Sequence, residues 1–280
     1  MTGPLRGGAA SGAFALVRPR NLLIAAAGVA VGGILALGRV AVPGALVWAM
    51  LSALGLGAAG NAANDVFDVE ADRINRPLRP LVRGDLSREA AIAIAGAAGG
   101  FGLFAAWWVG RAQFVLALLA LAVMLGYSPW LKPHGLRGNL AVALVAGLPL
   151  IYGAVAVGDA RAGLVPSLLA AALHLARELV KDVEDVAGDL AAGRRTVPIV
   201  WGPDAGAFAA AAILTLFVPL ALLPWAAGWY GRRYGLLVVA LDLGLLVLIA
   251  RLARGRIGGA RAALKLAMVV GLAALLWDRL

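Results

Sequence analysis

The sequence predicts an all-α membrane protein with nine transmembrane helices, and two observations carry this prediction. Of the 280 residues, 62% are hydrophobic and only 14% are charged, which gives a mean hydropathy of +0.89. A typical soluble domain has about 25% charged residues. Apolar runs also recur along the whole chain, with the roughly 17 to 25 residues that a helix needs to cross a bilayer. These runs are continuous and lack the alternation of membrane β-strands, so helices are predicted and a barrel is not.

Nine runs are long enough to cross the bilayer, and they define the predicted elements. They lie at 21–38, 43–63, 89–108, 112–128, 138–157, 164–181, 206–227, 234–252 and 262–277. Residues 1–17 contain Arg6 and no apolar core of signal-peptide length, so they are predicted to form a cytosolic N-terminal tail. The remaining residues, 18–280, are predicted to form one membrane domain.

The basic residues are spread over the loops between the predicted helices, which argues against nucleic-acid binding. The N-terminal tail and the loops on its side hold 18 Lys and Arg, and the other side holds 6. By the positive-inside rule, the N-terminus is predicted to be cytosolic, at the cell membrane. The chain has no cysteine, and its two histidines, His134 and His174, are too far apart for a zinc site. The sequence leaves the oligomeric state open.

Nine of the 15 acidic residues lie in two short clusters, one after the second predicted helix and one at the end of the sixth. Their members are Asp65, Asp68, Glu70 and Asp72, and Glu178, Asp182, Glu184, Asp185 and Asp189. Spacing of four residues places Asn64, Asp68 and Asp72 on one helical face. A carboxylate at the membrane centre costs about 2.5 to 3.5 kcal/mol, so several at one helix end require water or a bound cation.

Oxygen ligands without His or Cys favour Mg²⁺, which also binds substrate phosphates. Two such ions could hold a diphosphate between the clusters, and the arginines that follow each cluster could bind phosphate oxygens bidentately. The alternative is that both clusters are solvated helix ends and that the arginines only set the topology. Both clusters are predicted to lie on the cytosolic side of the membrane.

The two clusters resemble motifs of the UbiA superfamily of intramembrane prenyltransferases. NDVFDVEADRINRPLRPLVRG is similar to the first motif, NDxxDxxxDxxNxPxRPxxxG, and KDVEDVAGDLAAGRRTVP is similar to the second, DxxDxxGDxxxGxxTxP. Two shorter features also match: Arg18-Pro19-Arg20-Asn21 resembles RPxN, and Tyr127 to Lys132 resembles YSxxLK. The resemblance runs from about residue 14 to the end of the chain.

This resemblance implies a UbiA-type bundle with a central cavity, in which two Mg²⁺ ions assist transfer of a prenyl group from prenyl diphosphate to an acceptor. Asn64 and Asp68 would hold one ion and Asp185 and Asp189 the other, with support from Asp65, Asp72 and Asp182. Asp68, Asp185, Tyr127 and Lys132 would be the catalytic residues. The substrate contacts would be Arg18, Asn21, Arg79, Tyr127 and Lys132, with Arg137 or Lys132 at an acceptor phosphate.

Within the superfamily, both motifs most resemble those of the digeranylgeranylglyceryl phosphate synthases. The predicted acceptor is therefore lipid-like, the free hydroxyl of geranylgeranylglyceryl phosphate, and the predicted donor carries a geranylgeranyl group. Ala187 departs from that group, in which an acidic residue is common at this position. An aromatic acceptor of a quinone pathway and a chlorophyll-type acceptor are the alternatives within the superfamily.

Two other classes of membrane protein can be compared with the sequence. A CDP-alcohol phosphotransferase needs a DxxDGxxAR run, but Asp68 is followed by Val69-Glu70. A secondary transporter places its ionisable residues near the bilayer midplane, where only Asp242 and the pair Arg177 and Glu178 are candidates. The transporter is retained as the alternative from another class, and Asp242 has no predicted role.

Overall fold

The computed structural model describes residues 8–280, and this part of the chain is helical, without a strand. It contains nine helices that are long and apolar enough to cross a membrane, which confirms the predicted number. They span Ala9–Leu37, Gly44–Phe67, Arg88–Val109, Arg111–His134, Leu136–Ala156, Ala160–Glu184, Ala205–Ala226, Arg232–Leu252 and Ala260–Trp277. The predicted boundaries agree to within a few residues, except that the first span begins earlier and the fourth ends later.

The helices are labelled α1 to α15 in chain order. The first eight are α1 Ala9–Val17, α2 Pro19–Leu37, α3 Gly44–Phe67, α4 Val69–Asn75, α5 Pro80–Arg83, α6 Arg88–Val109, α7 Arg111–Gly126 and α8 Leu136–Gly147. The others are α9 Pro149–Ala156, α10 Ala160–Glu184, α11 Val186–Ala191, α12 Val197–Trp201, α13 Ala205–Ala226, α14 Arg232–Leu252 and α15 Ala260–Trp277.

Part of the predicted N-terminal tail is helical. Residues 1–7 of the tail lie outside the described residues, and Ala9–Val17 forms α1. Leu16 of this helix is fully buried in a small apolar cluster with Ala62, Val66 and Ala91. The tail is therefore packed against α3 and α6 over much of its length, and its cytosolic location stays a prediction.

Two of the long spans are interrupted beside residues that the sequence predicts to be functional. Arg18 separates α1 from α2 and has φ 56 and ψ 65, the only positive φ of a non-glycine residue within residues 8–280. Because Pro19 follows, the right-handed helical conformation is disfavoured at this position. The fourth span continues from α7 into a π-helix, Tyr127–Leu131, and a 3-10 turn, Lys132–His134. Such π-helical turns often occur at functional sites.

The bundle packs around two large apolar clusters. One is formed mainly by α10, α13, α14 and α15, and the other by α2, α3, α6, α7 and α9. Helices α2 and α9 lie backbone against backbone: a Cβ atom at Gly32 would lie 1.8 Å from the Leu150 carbonyl oxygen, and one at Gly153 would lie 1.8 Å from that of Val29. Only glycine permits this approach of two backbones.

A central cavity of about 470 Å³ lies in the bundle. Its walls are largely apolar and include Leu173, Phe217, Val238, Leu272 and Leu275. Charged and polar side chains from the ends of α2, α3, α10 and α15 also line it. The fold thus places an apolar chamber next to both acidic clusters.

Candidate active site

Both acidic clusters form corners where a long helix ends and a short helix begins. We call residues 64–75 the first corner and residues 181–192 the second corner. Asp68 joins α3 to α4 with φ −95 and ψ 7, and Asp185 joins α10 to α11 with φ −97 and ψ 5. The amide of Asp68 donates to the Asn64 carbonyl at 2.9 Å, and the amide of Asp185 donates to the Lys181 carbonyl at 2.9 Å. The two corners therefore have the same backbone geometry.

The corners are in direct contact through α4 and α11. The Asn75 side chain donates to the Asp185 carbonyl oxygen at 2.9 Å and accepts from the Gly188 amide at 3.0 Å. A Cβ atom at Gly188 would lie 2.3 Å from the Asn75 side-chain nitrogen. The two motifs, 117 residues apart along the chain, thus form one site, as their paired spacing suggests.

Asp68 is buried among three donors. Lys132 Nζ lies 2.6 Å from its Oδ2, Asn64 Nδ2 donates to the same oxygen at 2.9 Å, and Arg194 donates to Oδ1. Asn64 Nδ2 also lies 2.6 Å from Ser128 Oγ. Burial favours the protonated form of Asp68, but the charges of Lys132 and Arg194 outweigh it and lower the pKa of this carboxyl. Asp68 is therefore a carboxylate at neutral pH.

Two arginines link the corners reciprocally. Arg76, which follows the first corner, donates to both oxygens of Asp185 at 2.8 and 2.6 Å. Arg194, which follows the second corner, donates to Asp68 and, at 2.7 Å, to Asp189. Burial alone would lower the pKa of Arg76, but the Asp185 carboxylate raises it overall. Each arginine thus binds an aspartate of the opposite corner.

The three carboxylates with a predicted supporting role hold other polar side chains in place. Asp65 accepts from Arg79 at 2.9 and 3.0 Å and also pairs with Arg18. Asp182 accepts from Asn139 Nδ2 at 2.8 Å. Asp72 accepts from Arg76 at 3.5 Å, and burial raises its pKa more than the charge of Arg79 lowers it. Asp65 therefore positions two arginines, and its support of a metal ion stays a prediction.

The corners offer Mg²⁺ free oxygen atoms, but they do not offer a complete set of protein ligands. Within residues 8–280, no three His, Asp or Glu side chains form a ready-made metal site. Asp189 Oδ2, however, is buried without a hydrogen-bond partner, and Asn64 uses its amide nitrogen for protein contacts, which leaves its carbonyl oxygen for a cation. Mg²⁺ commonly takes one or two carboxylates and completes its shell with water and substrate phosphate. Pairs of oxygens from each corner are compatible with this chemistry.

Cations and neutral polar groups separate the corner carboxylates from the cavity. The residues predicted as functional that line the cavity are Arg18, Asn21, Asn64, Arg79 and Tyr127, together with Arg76. The Tyr127 hydroxyl is buried and has no hydrogen-bond partner. Asp68, Asp185 and Lys132 are not among the lining residues and are hydrogen-bonded behind them. Tyr127 is therefore the predicted catalytic residue that faces the cavity directly.

Arg137 departs from the prediction. Its side chain is exposed near the start of α8, and it is not among the residues that line the cavity. The geometry therefore gives no support to its predicted contact with an acceptor phosphate.

A second group of polar residues lies on the cavity wall, and the sequence predicted no substrate contact for any of them. Helix α10 contributes His174, Arg177, Glu178 and Lys181, and α15 contributes Arg261 and Lys265. Arg177 and Lys265 lie inside predicted membrane helices, where a charge is costly and usually faces a bundle interior or a watery cavity. That signal was present in the sequence and could have identified them.

Comparison with known proteins places the chain among prenyltransferases. The model of the UbiA prenyltransferase family matches residues 22–276. The digeranylgeranylglyceryl phosphate synthase of Thermococcus kodakarensis is 39% identical over 214 residues, covering 76% of this chain and 77% of the relative. The synthase of the same name from Halobacterium salinarum is 37% identical over 255 residues, which is 87% of each chain.

Solved structures show the same fold. A structure described as a digeranylgeranylglyceryl phosphate synthase in membranes superimposes with a TM-score of 0.78 at 24% identity, covering 97% of this chain and 98% of that one. A UbiA homologue from Aeropyrum pernix gives 0.81 at 22% identity, covering 94% and 99%. A homologue from Archaeoglobus fulgidus, bound to GPP and Mg²⁺, gives 0.69 at 19%, covering 95% and 99%. This chain belongs to the UbiA prenyltransferase family, as the two motifs predicted.

Proposed function

We propose that the protein transfers a geranylgeranyl group from geranylgeranyl diphosphate to the free hydroxyl of geranylgeranylglyceryl phosphate, a step of ether-lipid synthesis. The observation that carries this proposal is the joining of the two aspartate corners, by Asn75 and the reciprocal arginines, beside a cavity with apolar walls. Relatives that are 37 to 41% identical carry the name of the synthase for this reaction, and they support the choice of acceptor.

Two Mg²⁺ ions are proposed, one at Asn64 and Asp68 and one at Asp185 and Asp189. The homologue from Archaeoglobus fulgidus described as bound to GPP and Mg²⁺ supports a metal-dependent site in this family. When bound, the ions would act as Lewis acids that stabilise the departing diphosphate. The unpartnered Oδ2 of Asp189 and the carbonyl oxygen of Asn64 are the atoms best suited to bind them.

The cations of the site are proposed to bind the diphosphate oxygens. Arg76, Lys132 and Arg194 lie on carboxylates that would hold metal, so these three can turn to the phosphate oxygens as the carboxylates bind Mg²⁺. Arg18 and Arg79 already line the cavity while paired with Asp65. The free Tyr127 hydroxyl can donate to an oxygen of the leaving group, where negative charge increases during the reaction.

The cavity walls suit the reactive prenyl group. The bond between the prenyl C1 and the diphosphate oxygen breaks, the acceptor oxygen bonds to C1, and the proton of the acceptor hydroxyl passes to the departing diphosphate. The allylic cation that forms as the diphosphate leaves would react with water, and walls such as Leu173, Phe217 and Leu275 keep water away from it. The same walls accommodate a lipid-like chain.

The N-terminus and both corners are proposed to face the cytosol, because the loops on that side carry 18 of the basic residues and the opposite side carries 6. The chain has no cysteine, so single cysteines report orientation cleanly. In intact cells, an impermeant thiol reagent should label Arg161→Cys, in the exposed first turn of α10, and should spare Arg254→Cys, after α14. Labelling of Arg254→Cys with protection of Arg161→Cys would invert the proposed orientation.

The proposed reaction can be tested with purified protein in detergent. Radiolabelled geranylgeranyl diphosphate and Mg²⁺ are incubated with geranylgeranylglyceryl phosphate or with 4-hydroxybenzoate, and the labelled products are separated. We expect a labelled diether product that disappears when EDTA is added. Arg254→Gln is the matched control, because this exposed side chain donates to the Ala250 carbonyl and has no other side-chain hydrogen bond within residues 8–280. Preference for the aromatic acid would establish the quinone-pathway alternative, and no product with any acceptor would reject prenyl transfer.

A further inference from the structure

Four cations from α10 and α15 line the cavity wall, and one of them, Lys181, is also the first residue of the second corner. We call Arg177, Lys181, Arg261 and Lys265 the α10/α15 cation group. Arg177 and Lys181 lie four residues apart on α10, and Arg261 and Lys265 lie four residues apart on α15, so each pair shares a helical face. Helices α10 and α15 pack against each other and against α2. The group therefore forms one basic surface at the end of three packed helices.

Contacts within the structure hold this surface in place. Arg261 donates to Glu184 at 2.6 Å, which ties the start of α15 to the end of α10. Arg177 and Lys181 share the single carboxylate of Glu178, at 2.9 and 2.8 Å. Lys265 donates to the neutral Asn21 Oδ1 at 3.2 Å. Lys265 thus carries a positive charge without an ion pair within residues 8–280.

The balance of charge distinguishes this surface from the corners. At the corners, six carboxylates meet five cations: Asp65, Asp68, Asp72, Asp182, Asp185 and Asp189, with Arg18, Arg76, Arg79, Lys132 and Arg194. In the α10/α15 cation group, the four cations form ion pairs with Glu178 and Glu184, and the charge of Lys181 also interacts with Asp68 of the first corner. The corners suit metal ions with their diphosphate, whereas Arg177, Arg261 and Lys265 exceed Glu178 and Glu184 by one positive charge even when Lys181 is assigned to the second corner. Uncompensated cations beside an apolar cavity are costly, and an anion relieves that cost.

We infer that Arg177, Arg261 and Lys265 bind the phosphate monoester headgroup of the acceptor, with Lys181 completing the charge. This inference rests on the proposed function and names the acceptor subsite within the same cavity. The donor diphosphate and the acceptor phosphate are then held by separate sets of cations. Asn21, which the sequence predicts as a substrate contact, orients Lys265 toward this subsite. The acceptor's hydroxyl lies near its phosphate, and the common cavity gives it access to the diphosphate end.

Steady-state kinetics can separate this subsite from the donor site. For Arg177→Gln and Lys265→Gln we expect the KM for geranylgeranylglyceryl phosphate to rise about tenfold or more, since each removes a charged hydrogen bond. The KM for geranylgeranyl diphosphate should stay within about twofold of wild type. Geranylgeranylglycerol, which lacks the phosphate, should react poorly and with the same efficiency in wild type and variants. Lys265→Arg should restore most of the acceptor affinity, and Arg254→Gln is the control for loss of a surface charge.

A binding assay makes the inference independent of turnover. Wild type and Lys265→Gln in detergent are titrated with labelled geranylgeranylglyceryl phosphate without Mg²⁺ or donor, and inorganic phosphate or a dialkyl glycerol phosphate is added as competitor. An acceptor subsite is supported if the variant binds the labelled lipid more weakly, and if the dialkyl glycerol phosphate competes with it while inorganic phosphate does not. Competition by both equally indicates a general phosphate site and contradicts an acceptor-specific one.

Two outcomes distinguish failure of the acceptor subsite from failure of the proposed function. Unchanged acceptor KM and unchanged binding in both variants would overturn the inference while leaving prenyl transfer intact. Wild type that binds the lipid phosphate but forms no product would overturn the proposed function and leave the subsite standing.

Discussion

At the first corner Asn64 stands four residues before Asp68, whereas at the second corner Lys181 stands four residues before Asp185. The backbone at the two aspartates is the same to within a few degrees. Asn64 turns toward its aspartate, but Lys181 turns away to Glu178 on the cavity wall. The two corners therefore share a backbone geometry but differ in their side chains. The first corner has the neutral amide of Asn64 beside Asp68, whereas the ammonium of Lys181 in the second corner lies on the proposed acceptor surface. The two corners should respond differently to matched substitutions.

The largest effect should come from the aspartates themselves. Asp68→Asn and Asp185→Asn should each lower the rate of diphosphate release by about a hundredfold or more, since each removes a charge proposed to bind Mg²⁺. Asp68→Asn should also destabilise the fold more, because Lys132 and Arg194 both lose a buried partner whereas Asp185→Asn affects Arg76 alone. Turnover and melting temperature are measured on the same preparations. Near wild-type turnover in either variant would contradict the two-corner site.

The reciprocal arginines should give the next largest effect. Arg76→Gln and Arg194→Gln should lower kcat/KM for the donor by about tenfold to a hundredfold, because each removes a charged contact to the diphosphate and a link between corners. Arg194→Gln should be the more harmful, since the Arg194 side chain is only 7% exposed and both its contacts are short, whereas Arg76 is 22% exposed and reaches Asp72 only at 3.5 Å. Kinetics at varied donor concentration measure the difference. A larger loss in Arg76→Gln would reverse the expected order.

Substitution of Asn64 and of Lys181 tests directly whether the two corners differ in function. Asn64→Ala should raise the Mg²⁺ concentration for half-maximal activity by about tenfold, as losses near a metal site often do. Lys181→Ala should leave that concentration unchanged and raise the KM for the acceptor, because its ammonium lies with Glu178 on the cavity wall. Mg²⁺ titrations at saturating substrates distinguish the two. If both variants shift the Mg²⁺ requirement equally, the corners are functionally symmetric.

The smallest effect should come from the contact that joins the corners. Asn75→Ala removes two hydrogen bonds between α4 and α11, worth about 0.5 to 1.5 kcal/mol each, so the melting temperature should fall by a few degrees. Glu70→Ala on the same short helix is the control. Glu70 pairs with Arg73 on the exposed face, and such pairs contribute little. Equal melting temperatures for the two variants would show that Asn75 does not hold the corners together.

Much of the fold and of the paired site could be predicted because both depend on local sequence. Span length fixes the number of helices, and four-residue spacing fixes which of Asn64, Asp68 and Asp72 share a face. Arg137 and Lys265 show where this reasoning ends. Arg137 is five residues from Lys132, yet α8 begins between them and carries Arg137 to the exposed surface. Lys265 is far along the chain, and only the packing of α15 against α2 and α10 brings it to the cavity.

Backbone departures from regular helix were equally hard to predict. The left-handed Arg18 and the π-helix that begins at Tyr127 both orient predicted substrate contacts. Neither follows from hydrophobic spacing, because the surrounding helices hold these conformations in place. Charged residues inside apolar spans, by contrast, can be recognised in the sequence as candidates for a cavity wall. Arg177 is such a residue, and it lines the cavity.

The reciprocal arginines also bear on how the chain is made. Ribosomes complete the first corner before the second corner exists, and Arg194 follows Asp68 by 126 residues. Until then Asp68 has Lys132 as its cationic partner, and Arg76 lacks Asp185. The ion pairs at the first corner are therefore complete only after Asp185 and Arg194 have been synthesised. In pulse-chase labelling, a chain that stops after α9 should be degraded faster than one that includes Arg194.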